Sequence, residues 1–135
     1  MITEDYCSYE VAKLLKEKGF DEKVSTHYLV HPSGFSEFFD KKDEFPEPED
    51  VWLKCPTHQM AMKWLREKGF HINAPISYDY SVDSDGNIVD KWTFWTFEIL
   101  SSFSGELIYT EEVNEYYSYE EAVEAALKYC LENLI

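Results

Sequence analysis

The sequence is poor in glycine and has no long apolar run. Only 5 of its 135 residues are glycine, and none belongs to a G-x-G-x-x-G or Walker motif, which argues against a phosphate-binding loop of either kind. No apolar stretch approaches the roughly 18 residues of a membrane-spanning helix. The N-terminal segment MITEDYCSYE has neither the basic nor the apolar region of a secretory signal. We therefore expect a cytoplasmic protein without a membrane partner.

Basic residues are also scarce. Lysine and arginine together number 12, against 27 aspartates and glutamates, which gives a formal net charge of -15. A negative charge of this size repels nucleic-acid phosphates and anionic lipid headgroups. The composition predicts no direct binding to nucleic acid.

Cysteine is limited to three positions, Cys7, Cys55 and Cys130. The number is odd and the spacing is wide, unlike the dense pattern of disulfide-stapled secreted domains. We expect three free thiols in a reducing compartment.

Apolar material is plentiful. Hydrophobic residues make up 44% of the chain and aromatic residues 17%, which is too much for a disordered protein. A chain of this length can bury about two thirds of its unfolded surface around one core. We expect residues 1–135 to form a single domain.

Three segments carry the pattern of amphipathic helices. The first is predicted to begin near Ser8 and to end at Gly19, and the second to begin near Pro56 or Thr57 and to end at Gly69. The third follows Ser118, whose pairing with a glutamate three residues later is a capping box. Its apolar stripe comprises Val123, Ala126, Leu127, Cys130, Leu131 and Leu134.

The first two predicted helices end in nearly the same sequence. The segment LLKEKGF at residues 14–20 aligns without a gap with WLREKGF at residues 64–70. In both, glycine can adopt the left-handed conformation of a Schellman motif. An internal duplication of a helix-strand unit explains the likeness, and so does convergence of two good helix stops.

Strands are predicted between the helices. Residues 24–30 and 35–39 can form one pair, and residues 76–82, 88–100 and 106–113 a three-stranded antiparallel meander. The charged, proline-bearing stretch at about residues 40–50 is expected to be an exposed acidic connection. The resulting order is α-β-(β)-α-β-β-β-α, which predicts an α+β fold with helices on an antiparallel sheet.

Cys55 is the one residue whose position suggests an enzyme. It directly precedes the second predicted helix, where the helix dipole stabilises a thiolate, and His58 follows one turn later. The alternative is a small buried residue at the helix entry, which is the commoner role of a free cysteine.

Metal sites are not indicated by the spacing of ligands. Only His27 and His31 stand four residues apart, and on a strand this places them about 13 Å from each other. Aspartates crowd the turn at residues 83–87, but its glycine does not occupy the position that an EF-hand requires. We expect no metal ion and no cofactor, although a site assembled from distant parts of the chain stays open.

The aromatic segment WTFWTF at residues 92–97 is apolar on both faces of its predicted strand. One layer of helices cannot cover both faces, which suggests a surface for a partner protein or for a second copy of the chain. The residues predicted to form this surface are Trp92, Phe94, Trp95 and Phe97.

Three blocks of the sequence resemble short proteins encoded by phages and by prophage regions of gut bacteria. The blocks are YCSYEVAKLLKEKGFDE, CPTHQMAMKWLREKGFHI and YYSYEEAVEAALKYCLENLI, and they coincide with the three predicted helices. The resemblance implies a biological context and carries no activity, cofactor or site residue.

These observations favour a non-enzymatic accessory module that binds another protein or self-associates as a homodimer. The alternatives are an acidic DNA mimic that inhibits a nucleic-acid-binding protein of the host and, third, a thiol-dependent enzyme that uses Cys55. A mimic requires carboxylates grouped on one face, whereas here they are spread along the chain.

Overall fold

Three helices and eight strands form the protein in the computed structural model, which describes residues 2–31, 33–34, 36–40 and 52–135. The elements are α1 (Tyr9–Glu17), β1 (Thr26–Val30), β2 (Ser36–Asp40), β3 (Trp52–Lys54), α2 (His58–Glu67), β4 (Phe70–Asn73), β5 (Ile76–Val82), β6 (Ile88–Trp95), β7 (Glu98–Ser101), β8 (Leu107–Thr110) and α3 (Tyr119–Asn133). The predicted α+β class is confirmed. The acidic connection predicted at residues 40–50 lies outside the described residues, apart from the end of β2.

The strands form three antiparallel sheets. Their orders are β2-β1-β3, β4-β7-β8 and β5-β6. The predicted pairing of the two N-terminal strands and the hairpin that joins residues 76–82 to the next strand are both present. The prediction lacked β3 and β4, which are only three and four residues long.

The helix boundaries follow the predicted caps. Ser8, Thr57 and Ser118 are the N-caps, and each accepts a hydrogen bond from the backbone N–H three residues on. After α1, the amides of Gly19 and Phe20 donate to the carbonyls of Lys16 and Leu15, which is the predicted Schellman motif.

The two similar helix stops lead into different structures. Gly19 and Gly69 both have positive φ, at 94° and 105°. Phe20 then enters a loop, whereas Phe70 is the first residue of β4. The likeness therefore covers the helix ends, and the strands that follow belong to different sheets.

The segment predicted as one strand from residue 88 to residue 100 is divided between two sheets. It bends at Thr96, whose amide donates to the carbonyl of Pro75 and whose hydroxyl donates to that of Glu111. The bend turns Phe97 inward, against the rings of Tyr109, Tyr116 and Tyr129. The predicted meander is thus two hairpins, β5-β6 and β7-β8.

The core is built around α3, which packs against α1, α2, β4 and β7. Its apolar stripe is buried as predicted, with Leu134 partly covered. No helix in the described part of the chain is long and apolar enough to cross a membrane.

Candidate functional site

Three potential ligand side chains meet where the N-terminal segment, α2 and α3 come together. Cys7 immediately precedes the N-cap of α1, His58 is the first residue of α2, and Glu124 lies in the second turn of α3. A sulfur, a ring nitrogen and a carboxylate oxygen of these residues lie within 4.8 Å of one another. We refer to them as the Cys–His–Glu cluster.

Backbone hydrogen bonds fix the relative position of the two helix starts. The amide of Cys7 donates to the carbonyl of Pro56 over 3.0 Å, and that of His58 donates to the carbonyl of Asp5 over 2.9 Å. The chain before α1 therefore runs antiparallel to the chain before α2, with a bridge between Tyr6 and Thr57. This pairing holds Cys7 beside His58.

Glu124 connects the cluster to both helix starts. One of its carboxylate oxygens accepts from the amide of Ser8 over 2.7 Å, and the other lies 2.9 Å from Nε2 of His58. Burial by itself raises the pKa of this carboxyl, but the hydrogen bonds from His58 and Ser8 outweigh it and hold the pKa below its ordinary value. Glu124 is therefore ionised at neutral pH.

His58 is buried and has one nitrogen without a partner. Its Nδ1 atom is inaccessible to solvent and makes no hydrogen bond, while Nε2 faces Glu124. A buried ring nitrogen of this kind is an uncommon feature, because an unmade hydrogen bond costs about 1–3 kcal/mol. The residue also lines a cavity of about 320 Å³, together with Asp5 and Tyr119.

Cys7 is fully buried, and its thiol is protonated. Burial raises its pKa far above the ordinary value, and the nearby charge of Glu124 adds to the effect. The succession of cysteine, histidine and carboxylate has the composition of a catalytic triad. A nucleophile, however, needs access to substrate and a thiolate, and the buried, protonated Cys7 has neither.

Cys55 does not have the environment of a nucleophile that its sequence position suggested. Its thiol is buried and donates to the carbonyl of Cys7 over 3.2 Å, and burial raises its pKa to about 12. His58 pairs with Glu124 and so does not serve as a base for Cys55. The structure supports the alternative role, a small buried residue at the helix entry.

We expect all three cysteines to resist thiol reagents in the folded protein. Each is buried, and burial raises the pKa of Cys130 to about 12 as it does for Cys55. Labelling with an aromatic disulfide should be slow under native conditions and should reach all three thiols in denaturant. Raising the pH toward the ordinary thiol pKa should accelerate it little, and fast labelling of one native thiol would contradict the burial.

The predicted aromatic surface is distributed over three environments. Phe97 is in the core with 1% of its surface exposed, so it cannot belong to a partner surface. Trp92 and Phe94 pair with Asp79 and Ser77 on one face of the β5-β6 hairpin. Trp95 lies at the base of the other face, 5.7 Å from the ring of Tyr119.

The other face of this hairpin is apolar and open to solvent. Its exposed side chains are Ile76, Tyr78, Tyr80, Val82 and Ile88, and we call them the apolar hairpin face. All five are between 49% and 62% exposed. The strand predicted at residues 76–82 is present, and no element in the described part of the chain covers this face.

The remaining predicted groups have structural roles. His31 pairs with Glu37 at 2.9 Å, and Asp83 accepts from the amides of Asp85 and Asn87, which closes the hairpin turn as expected. Within the described ranges, the Cys–His–Glu cluster is the one group of three or more ligand-type side chains close enough to hold a metal ion.

Sequence reasoning singled out His58 but did not connect it with Cys7 or Glu124. The three positions belong to separate segments, so no local spacing joins them. One signal was present for Glu124, which lies three residues before Leu127 and seven before Leu131 and therefore flanks the apolar stripe of α3. A carboxylate at that position lies on the packed side of the helix.

Comparison of the chain with known protein families, curated proteins and solved structures finds no match in any of the three.

Proposed function

We propose that the protein is a non-enzymatic module of the cytoplasm that self-associates through its apolar hairpin face. The observation that carries the proposal is a two-stranded sheet with one apolar side left open. The three buried free thiols agree with a reducing compartment. The phage or prophage context implied by the helical blocks belongs to the same proposal and suits a small accessory protein.

Self-association is favoured because an isolated hairpin is only marginally stable. A two-stranded sheet in water needs a further strand or a packed layer to be stable. β5 and β6 pack chiefly against each other and not against the core. A second copy placed on the apolar face supplies the missing layer.

The area of the face suits a dimer. Its five side chains expose an area on the order of 600 Å², which is at the upper end of the largest apolar patches on monomers. A standard interface buries about 800 Å² on each partner. The adjacent Lys91 and Thr93, which pair with Tyr80 and Tyr78 on the same face, extend the face toward that size.

The charges of the hairpin favour a second copy over a basic partner. Asp79 and Asp90 are on the opposite face and Asp83 is in the turn, so the apolar face carries no carboxylate despite the 27 acidic residues of the chain. Its one charged group is Lys91, whose Nζ lies 5.0 Å from the ring centroid of Tyr78. Two such faces meet without opposed carboxylates, and a basic partner finds no counter-charge there.

Sedimentation over a range of concentrations tests the proposal. We expect a monomer–dimer equilibrium that Tyr78→Ser weakens at least about tenfold, because the dimer loses an aromatic side chain from each copy and truncation at the centre of an interface can cost more than about 1 kcal/mol each time. Tyr117→Ser is the matched control, because Tyr117 is 95% exposed and lies outside the hairpin.

Ionic strength separates self-association from DNA mimicry. Two copies with a net charge of -15 each repel at long range, so added salt should strengthen the dimer by screening. A mimic bound to a basic protein should instead be released by salt. A protein that stays monomeric at every concentration, or a dimer that Tyr78→Ser leaves unchanged, overturns the proposal.

A further inference from the structure

We propose that Cys7, His58 and Glu124 bind one Zn²⁺ ion. The three side chains offer a sulfur, a nitrogen and an oxygen, which are the ligand types that zinc uses in proteins. Their ligand atoms lie within 4.8 Å of one another. The site is independent of the hairpin and of the self-association proposed above.

The spacing is close to that of a zinc site. Ligands at about 2.0–2.3 Å from a tetrahedral ion lie about 3.3–3.7 Å from each other. The His58 and Glu124 atoms are already 2.9 Å apart, so binding requires them to separate slightly while the more distant sulfur approaches.

The unpartnered nitrogen of His58 points to a ligand. With Nε2 bonded to Glu124, the ring is neutral when Nε2 carries the hydrogen, and the lone pair of Nδ1 is then buried and unused. Zn²⁺ at Nε2, between His58 and Glu124, moves the ring proton to Nδ1, so that no lone pair of the ring stays buried and unused.

A dication can neutralise the two negative charges that the cluster carries once the thiol of Cys7 has lost its proton. Glu124 is ionised, and a thiolate at Cys7 would add a second negative charge in a buried place. Zn²⁺ neutralises both. Binding transfers the electron pair of the sulfur to the ion and releases the thiol proton to solvent, so one proton leaves for each ion bound to neutral His58.

Three protein ligands leave one position of a tetrahedron open. The cavity of about 320 Å³ that His58 lines has room for water. We assign the fourth position to a water molecule that enters from this cavity. Glu4 and Asp5 also line it, and their negative charges favour the arrival of a cation.

Cobalt is the probe for the test. The full-length protein, stripped of metal with a chelator, is titrated with Co²⁺ in excess Mg²⁺, which occupies surface carboxylates. We expect one Co²⁺ for each chain, a near-ultraviolet thiolate charge-transfer band, and displacement by Zn²⁺. The affinity should rise about tenfold for each pH unit while the thiol remains the group that loses the proton.

Variants identify the ligands. Cys7→Ser should abolish the charge-transfer band, and Glu124→Gln should weaken Co²⁺ binding at least about tenfold. Cys130→Ser and Glu120→Gln are the matched controls, the first at another buried cysteine and the second at an exposed glutamate of the same helix, and both should bind as the wild type does.

Two results overturn the assignment. One is a wild-type protein that shows no charge-transfer band at micromolar Co²⁺, which decides the question even if a variant fails to fold. The other is a band that survives in folded Cys7→Ser, as judged by its circular dichroism. Equal losses in Glu124→Gln and Glu120→Gln would likewise count against Glu124 as a ligand.

Discussion

Phe97→Ala is expected to lower the free energy of unfolding by about 3–5 kcal/mol, the range for truncating a buried phenylalanine. Phe97 is 1% exposed and lies among the rings of Tyr109, Tyr116 and Tyr129. Alanine would leave a cavity among them and remove the aromatic contacts. Because small domains have total stabilities of about 5–15 kcal/mol, the loss would be a large fraction of the whole.

Phe103→Ala is the control for this experiment, since it makes the same substitution at a residue that is 80% exposed. Its effect should stay near 0.5 kcal/mol or below, as for most surface changes. Denaturant unfolding followed by circular dichroism measures both. If the two variants lose similar stability, the side chain of Phe97, which lies between β6 and β7, is not in the core.

The position of Phe97 also shows what a local sequence pattern cannot predict. A run such as WTFWTF satisfies the rules for a strand, and nothing local marks the bend at Thr96. The bend depends on hydrogen bonds to Pro75 and Glu111, which are distant in the chain. Periodicity identifies which residues share a face, but the partner of that face is settled by tertiary contacts.

The helices were predictable because their signals are local. The stripe of α3 and its cap at Ser118 lie within one short stretch, and the structure buries that stripe. The stop at Gly19 depends on a positive φ that glycine adopts readily. Such signals need no knowledge of the rest of the chain.

The apolar hairpin face shows the opposite case. The alternation of Ile76, Tyr78 and Tyr80 with polar residues correctly predicted a strand with two unlike faces. In the structure the apolar face is exposed and does not pack on the core. A pattern of period two indicates that one face of a strand is apolar. It does not indicate whether the residues that cover this face come from the same chain.

The Cys–His–Glu cluster could not be read from spacing for a related reason. Cys7 and His58 are brought together by the backbone pairing of two segments that precede helices. Glu124 was one carboxylate among 27 acidic residues, and only its place beside the stripe of α3 distinguished it. The cluster arises from the way the three helices pack.

Backbone amides of the β5-β6 hairpin are expected to exchange with solvent about 10³-fold faster, or more, than those of α3 in dilute protein. Local opening of a hairpin that packs chiefly against itself costs little, whereas the amides of buried Val123 and Leu127 open only with much of the core. A gap of a few kcal/mol between the two kinds of opening corresponds to a factor of this size.

Hydrogen exchange at two protein concentrations separates this property from self-association. At low concentration the hairpin should be unprotected in both the wild type and Tyr78→Ser. At high concentration protection should rise in the wild-type hairpin alone, because the second copy covers its apolar face and holds β5 against β6. Protection as strong as that of α3 in dilute solution would contradict the open face, since the chain itself would then be covering it. Protection that never rises would leave the hairpin open but refute the dimer, so the exposed face and its occupant are tested separately.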